Sequence, residues 1–350
     1  MSTTSEPRVL LVGLGSTTAS ALRGLTARFD VCGLIRAEDD DVVTEAVKYG
    51  VPVVADATLK GLSRAIVEFS PDVVVISSFN RILSPAILSS NARFVNVHYA
   101  PLPELRGRAT VNWAVILGLP ETAITIHTVV AGLDAGGILY QERVPILSSD
   151  TTASLYERLN GIQEREIADA VSRRIAGDAG VEQNELAATY ACARVPRDGR
   201  IDWTLSAGTI CNLVRGLSPP FPPAYTFLEL DRLLVHQAGV IESDMTWVGR
   251  IPGRVVSVDR ATGSVDILAG SGVVRIERVS LDDRTPSGAG SSRLIDPDDL
   301  GSRSRDDAGA VSWTGGRFVT GEGRDPVLGA GREVASRPAL QPQVTCEMRR

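Results

Sequence analysis

Short apolar runs that alternate with helical stretches are the strongest constraint on how this chain folds. Three stretches have apolar residues at helical spacing: Thr17–Phe29, Asp41–Tyr49 and Leu59–Phe69. The runs around them have the length and β-branched character of strands: Arg8–Gly13, Val31–Ile35, Asp72–Ser77 and Phe94–His98. The run Asp72–Ile76 is apolar on both faces, which is typical of a parallel sheet covered on each side. The first part of the chain therefore predicts an α/β fold with an open, mostly parallel twisted sheet, whose ligands bind beyond the carboxyl ends of the strands.

Downstream of this region the pattern changes. Two further strands, Thr122–Val130 and Ile138–Ile146, precede a long helix that we expect to run from near Asp150 to about Ile175. After one more helical stretch, Ala207–Leu217, prolines and short strands around glycine turns predict a smaller β-barrel-like domain.

The last part of the chain is rich in Gly, Ser, Asp and Arg and has few clustered apolar residues. Such a segment buries too little apolar surface to offset its ordering entropy, so we expect disorder there. The predicted organisation is an α/β domain over residues 1–195, a β-barrel-like domain over residues 196–284 and a disordered tail over residues 285–350.

The net charge and the cysteine spacing limit the classes of function that this chain can have. The chain carries 36 basic and 42 acidic residues, a net charge of −6, which disfavours nucleic acid as the main partner. No apolar run approaches the ~18–20 residues of a membrane span, and no leader-like segment opens the chain. The four cysteines have no metal-ligand spacing, so no metal is predicted. We expect a cytoplasmic protein, and the sequence gives no indication of its oligomeric state.

A glycine-containing turn follows the first strand, at Gly13–Ala19. It is similar to a dinucleotide-binding fingerprint but has Thr18 where the third glycine belongs. The acidic run Glu38–Asp41 could supply the carboxylate that binds a ribose in such a fingerprint, so this alternative stays open. We favour a structural turn without a cofactor.

The end of the strand Phe94–His98 carries the most informative polar residues. Asn96 and His98 are two positions apart, so on a strand they share a face. An amide N–H can stabilise an oxyanion and an imidazole can move a proton, while a nearby carboxylate orients the imidazole and tunes its pKa. Asp134, in a glycine-flanked loop, is a candidate for that carboxylate. Taken alone, His98 is equally compatible with a structural role, and an ordinary turn is the better explanation of Asp134. Their pairing with Asn96 favours acyl-transfer chemistry.

Four motifs occur in a characteristic order: Phe79–Ser84, Asn96–Pro103, Arg106–Ala109 and Leu133–Gly137. Together they resemble the 10-formyltetrahydrofolate-dependent formyltransferase family, which includes glycinamide ribonucleotide, methionyl-tRNA and amino-sugar formyltransferases. Residues 194–203 and 212–215 resemble the junction into the second domain of the tRNA and amino-sugar branches. The resemblance covers residues from about 8 to 280.

The resemblance implies three groups of site residues. The catalytic set is Asn96, His98 and Asp134, and the segment whose backbone holds the pterin of 10-formyltetrahydrofolate is Arg81, Ile82 and Leu83, with the loop at Gly132 closing the other side. His127 stands where some members have a second histidine, and is accessory at best. Arg106 and Arg108 are equally compatible with a rim for an anionic group and with a solvated basic turn.

The resemblance leaves the formyl acceptor open. The tRNA-specific branch inserts a long basic loop after the second strand, whereas this chain has the short, acidic segment Ile35–Val42. We therefore expect a small-molecule amine, such as an amino sugar or the amine of a specialised metabolite, with methionyl-tRNA as the alternative. A formyltetrahydrofolate hydrolase and a non-catalytic α/β binding module remain as further alternatives.

Overall fold

The computed structural model describes residues 6–228 and 231–282 together with the two-residue strand 318–319. The strands of the first part are β1 (Arg8–Val12), β2 (Asp30–Ile35), β3 (Val53–Val54), β4 (Val73–Ser77), β5 (Arg93–His98), β6 (Arg106–Gly107), β7 (Glu121–Thr128), β8 (Ile138–Pro145) and β9 (Tyr190–Ala191). The helices are α1 (Thr18–Thr26), α2 (Asp41–Lys48), α3 (Leu59–Phe69), α4 (Pro85–Leu88), α5 (Thr110–Ile116) and α6 (Thr152–Ile175).

Seven of these strands form one sheet in the order β3-β2-β1-β4-β5-β7-β8. β1 to β5 are parallel, and β7 and β8 run antiparallel at one edge. Alternate residues of β1 enter different apolar clusters: Val9 and Leu11 pack with residues of α1 and α6, and Leu10 and Val12 pack with residues of α3 and α4. The predicted open, mostly parallel sheet covered on both faces is confirmed.

The second part of the chain consists of α7 (Ala207–Gly216), β10 (Ala224–Leu228), β11 (Asp231–Ile241), β12 (Val255–Asp259), β13 (Ser264–Leu268), β14 (Val273–Leu281) and β15 (Phe318–Val319). Its strands form an antiparallel sheet in the order β12-β13-β14-β11-β10-β15. The core of this part includes Trp203, whose indole N–H donates to Thr226 Oγ1 at 2.9 Å. The expected small β domain is thus present as an antiparallel sheet with one helix.

Two helices, α4 and α5, were not predicted from the sequence. α4 has only four residues, too few for a periodic pattern, and its start is set by Ser84, whose hydroxyl accepts from Ile87 N. α5 packs against α7, and Asn112 Nδ2 donates to the Gly216 carbonyl at 2.8 Å. α5 therefore links the α/β sheet domain to the second domain.

The boundaries at residues 195 and 284 stay predictions. Within residues 285–350 only Phe318–Val319 is described, paired with β10, so the predicted disorder of the remaining tail lies outside the described residues. Among the helices that the structure describes, none combines the length and apolarity needed to cross a bilayer.

Candidate active site

The register of the sheet brings polar side chains together at the carboxyl end of β5. Asn96 lies beside Ile76 of the parallel strand β4 and directly opposite His127 of the antiparallel strand β7. His98, two residues further on, is opposite Thr125. β7 therefore lies next to Asn96 and His98, and His127 of β7 is the cross-strand neighbour of Asn96.

Asp134 reaches this strand end from the loop that joins β7 to β8, which we call the Asp134 loop (residues 129–137). Its carboxylate accepts from the backbone N–H of Gly107 at 2.8 Å through Oδ2 and from Asn96 Nδ2 at 3.3 Å through Oδ1. The distance from Oδ2 to Nδ1 of His98 is 3.7 Å. An amide, an imidazole and a carboxylate from two separate stretches of sequence thus converge on one point.

The tautomer of His98 is fixed by a backbone carbonyl. Nε2 lies 2.8 Å from the carbonyl oxygen of Leu105, which can only accept, so Nε2 carries the hydrogen. The remaining nitrogen, Nδ1, faces Asp134 at 3.7 Å, which is too long for a hydrogen bond. The group that orients the imidazole is therefore the carbonyl of Leu105, and not the carboxylate expected from the sequence. Leu105 presents this carbonyl from a left-handed conformation with a φ of 55°.

His127 is in contact with the cluster. Its Nδ1 lies 2.7 Å from the carbonyl of Thr128, so Nδ1 donates and Nε2 is left to accept from Asn96 Nδ2 at 3.0 Å. Burial lowers the pKa of His127 to about 4, so the ring is neutral at pH 7. A neutral imidazole therefore holds the amide of Asn96, although the sequence marked this histidine only as an accessory residue.

Arg106 and Arg108 have different environments. Arg106 is 1% exposed and makes an ion pair with Glu185 at 2.6 Å, whereas Arg108 is exposed. Because Arg106 is buried, both predicted interpretations, a surface rim for an anion and a solvated basic turn, are wrong for this residue. Its second partner is Gln183, whose Oε1 accepts from Nη2 at 2.7 Å. Neither Glu185 nor Gln183 was singled out in the sequence, because no motif marked the segment between α6 and β9.

The segment expected to hold the pterin follows β4, the parallel neighbour of β5. Arg81 and Ile82 are exposed, and Leu83 is buried in the apolar cluster against which Val129 of the Asp134 loop packs. Within the described residues, the backbone groups of residues 79–83 make no hydrogen bond. Gly132 is exposed on the Asp134 loop. Free backbone donors and acceptors beside an exposed apolar side chain suit a flat heterocycle with amide-like edges.

The glycine turn after β1 contains a second polar cluster, in which the guanidinium of Arg36 is 2% exposed. Its Nη1 donates to the carbonyls of Gly13 and Gly15 at 3.1 and 3.3 Å, and its Nε donates to Asp40 Oδ1 at 2.9 Å. Asp40 also accepts from two backbone amides at the start of α2. Asp40, one of the acidic residues considered as a ribose ligand, is therefore already engaged by Arg36. Among the described His, Cys, Asp and Glu side chains, no group of three is placed to hold a metal ion.

Comparison with known proteins defines the class to which this fold and site belong. Residues 15–171 match the family model described as formyl transferase, and residues 195–291 match the formyl transferase C-terminal domain. The chain is 31% identical over 290 residues to a methionyl-tRNA formyltransferase from Marinobacter nauticus, a match that covers 78% of this chain and 91% of that protein. The chain belongs to the formyl transferase family and is a formyltransferase, with 10-formyltetrahydrofolate as its formyl donor.

Two solved structures share the fold. HypX from Aquifex aeolicus in complex with tetrahydrofolic acid has a TM-score of 0.58 and 18% identity, over 84% of this chain and 46% of that one. WlaRD, a sugar 3N-formyl transferase, has a TM-score of 0.60 and 14% identity, over 80% of this chain and 99% of that one. These likenesses support the two-domain architecture.

Proposed function

We propose that this formyltransferase moves the formyl group of 10-formyltetrahydrofolate to a primary amine, using Asn96, His98 and Asp134 as its catalytic residues. The observation that carries the proposal is the convergence of these side chains: Asp134 lies 3.3 Å from the Asn96 amide and 3.7 Å from Nδ1 of His98. Acyl transfer needs a hydrogen-bond donor that stabilises the oxyanion, a group that accepts a proton, and a carboxylate that stabilises the protonated group.

Each residue has a defined task in this proposal. 10-Formyltetrahydrofolate supplies the formyl carbon, whose bond to the folate nitrogen N10 is exchanged for a bond to the amine nitrogen. Asn96 exchanges its long hydrogen bond to Asp134 for the oxygen of that carbon and donates this N–H as negative charge develops there, while its other N–H stays on His127. Nδ1 of His98 accepts the proton from the attacking amine and returns it to N10 as the C–N10 bond breaks. Asp134 stabilises the imidazolium in between, because its carboxylate faces Nδ1.

The same proposal places the pterin between the segment Arg81–Leu83 and the Asp134 loop near Gly132. The support is that the backbone of residues 79–83 has unused hydrogen-bonding groups within the described chain, and that Leu83 and Val129 share one apolar cluster. Backbone donors and acceptors from this segment would hold the heterocycle next to Asn96, because β4 and β5 are adjacent parallel strands.

Methionyl-tRNA is the acceptor that the comparisons favour, ahead of the small-molecule amine expected from the sequence. The support is the 31% identity to a methionyl-tRNA formyltransferase over most of both chains. A second candidate, a small-molecule amine such as a nucleotide-linked amino sugar, is favoured by one structural observation. The link between β2 and α2 has five residues, and its one cation, Arg36, is buried against Asp40 and thus has no free N–H for a phosphate.

The decisive assay follows tetrahydrofolate release from 10-formyltetrahydrofolate by absorbance in three parallel reactions. These contain charged initiator methionyl-tRNA, a panel of nucleotide-linked amino sugars, or no amine. Release with one class of acceptor, together with a formylated product, identifies that acceptor. Release without an amine would instead show a hydrolase, and no release in any reaction would contradict the proposed activity and favour a binding module.

A further inference from the structure

We propose that Gln183 is a positioning residue for the reaction: it clamps the backbone of the Asp134 loop and thereby holds the Asp134 carboxylate against His98 and Asn96. The proposal rests on the function proposed for Asp134. Gln183 lies between α6 and β9, far from the catalytic residues in sequence, and its side chain bonds to Arg106 and to backbone carbonyls of the Asp134 loop.

The clamp consists of one side-chain amide that bridges two carbonyls. Nε2 of Gln183 donates to the carbonyl of Asp134 at 2.7 Å and to the carbonyl of Gly136 at 2.7 Å. The Gln183 side chain is buried, so these two hydrogen bonds face little competition from water. Both hydrogens of the amide are thereby committed to the same turn.

The turn needs such support because of its backbone conformation. Asp134 has a φ of 49°, in the left-handed region, which is unfavourable for a residue other than glycine. At Gly136 a Cβ would overlap the carbonyl oxygen of Thr128, so the turn also lies directly on the end of β7. A strained aspartate next to a close backbone contact keeps its direction only when the surrounding structure fixes it.

The orientation of the Gln183 side-chain amide is fixed by the partner of its oxygen. Oε1 of Gln183 accepts from Nε and Nη2 of Arg106 at 3.3 and 2.7 Å, so the amide cannot turn over without placing its N–H₂ against a guanidinium. Glu185 neutralises the buried charge of Arg106 through hydrogen bonds of 2.6 and 2.8 Å. The residue after Arg106, Gly107, donates its backbone N–H to the Asp134 carboxylate. Strand β6, paired with β9, therefore contributes to both supports of Asp134: Arg106 orients the Gln183 amide that holds its backbone, and Gly107 holds its carboxylate.

The expected consequence of losing the clamp is a fall in kcat at nearly constant KM. A displacement of about 1 Å in a catalytic group can cost on the order of 10²-fold in rate. Gln183→Leu removes both donors at similar volume. Gln183→Glu keeps the shape, but its carboxylate cannot donate to the two carbonyls. We expect both variants to lower kcat by about 10- to 100-fold, with KM for both substrates within about twofold.

Gln163 provides a matched control in the same domain. It is fully buried, and its Nε2 donates to the carbonyl of Thr17 at 2.7 Å and to Ser20 Oγ at 3.0 Å, on the α1 side of the sheet. Gln163→Leu should therefore lower Tm by an amount similar to Gln183→Leu while leaving the kcat of the folded enzyme within about twofold of wild type, because both lose comparable buried hydrogen bonds.

A double-mutant cycle tests whether Gln183 acts through Asp134. In an Asp134→Asn background, Gln183→Leu should cause little further loss of kcat, because the group it positions is already gone. A kcat of Gln183→Leu equal to that of wild type, or losses that multiply independently with Asp134→Asn, would overturn the proposal.

Hydrogen exchange gives a readout that does not depend on activity. Gln183→Leu should speed amide exchange in residues 129–137, and Gln163→Leu should not. Unchanged exchange there in Gln183→Leu would overturn the clamp even in an inactive preparation. An inactive wild-type enzyme with the expected exchange pattern would instead count against the proposed function alone.

Discussion

The glycine turn after β1 and the Asp134 loop each gather polar groups beside strands of the same sheet, but one cluster is closed on itself and the other is not. In the first, Arg36 is buried and donates to the carbonyls of Gly13 and Gly15 and to Asp40. In the second, the Asp134 carboxylate has one hydrogen bond of ordinary length, to Gly107, and a longer one to Asn96, while His98 stands 3.7 Å away.

The difference separates a structural polar cluster from a chemical one. Polar groups that satisfy one another completely lower the free energy of the fold and have nothing left to offer a ligand. Groups that converge while one of them keeps an unused hydrogen-bonding atom, as His98 does at Nδ1, are placed to act on a third partner. Mutations at the two places should therefore change different measurements.

The largest expected effect is on catalysis at the Asp134 loop. Asn96→Ala, His98→Ala and Asp134→Asn should each lower kcat by about 10²–10³-fold, the usual cost of losing a group that stabilises the transition state. The test is to measure the kcat of formyl transfer at saturating substrate concentrations. The Tm from thermal denaturation shows whether each variant is folded. The assignment of the catalytic set is wrong if all three variants keep near wild-type kcat while remaining folded.

The next largest effect is on stability at the β1 turn. Arg36→Ala leaves the carbonyls of Gly13 and Gly15 and the carboxylate of Asp40 without their donor. We expect a loss of roughly 2–3 kcal/mol in the free energy of unfolding, below the range for a fully buried pair because Asp40 is partly exposed. Urea denaturation measures the loss, and kcat per folded molecule should be unchanged. If Arg36→Ala kept normal stability but had a reduced kcat, Arg36 would belong to the active site, and the β1 turn would not be a purely structural cluster.

A smaller, pH-dependent effect belongs to His127. Burial lowers its pKa to about 4 from 6.5, so between these values the unfolded chain binds the proton more readily than the folded protein. Stability should therefore fall as the pH is lowered through this window, by at most about 1 kcal/mol per pH unit from this residue. The test is the difference between wild type and His127→Gln in urea denaturation at pH 7, 6 and 5; parallel curves would show that His127 does not carry this dependence.

The smallest effect is expected at the pterin segment. Ile82 is 72% exposed, so Ile82→Ala should leave Tm unchanged while raising KM for 10-formyltetrahydrofolate by about 3- to 10-fold, the value of a few methylene contacts. Val67→Ala on α3, at 79% exposure, is the matched control and should alter neither quantity. Equal KM values for both variants and wild type would remove Ile82 from the donor site.

The features that follow from local sequence pattern were predictable from the amino-acid order. Apolar runs on both faces of Asp72–Ser77 predicted a covered parallel sheet, and the two-residue period of a strand placed Asn96 and His98 on one face. The order of motifs, rather than any spacing argument, linked Asp134 to them. Short-range periodicity and motif order are properties of the linear sequence, so they can be recognised before the fold is known.

The contacts between side chains from distant parts of the sequence required the folded structure. It buried Arg106, which the sequence left between a rim and a solvated turn, and it placed Gln183 under the Asp134 loop. It also set the His98 tautomer through Leu105 and paired His127 with Asn96. These contacts depend on strand register and on loop conformations with positive φ, which arise from packing between segments distant in sequence and leave no periodic trace in the amino-acid order.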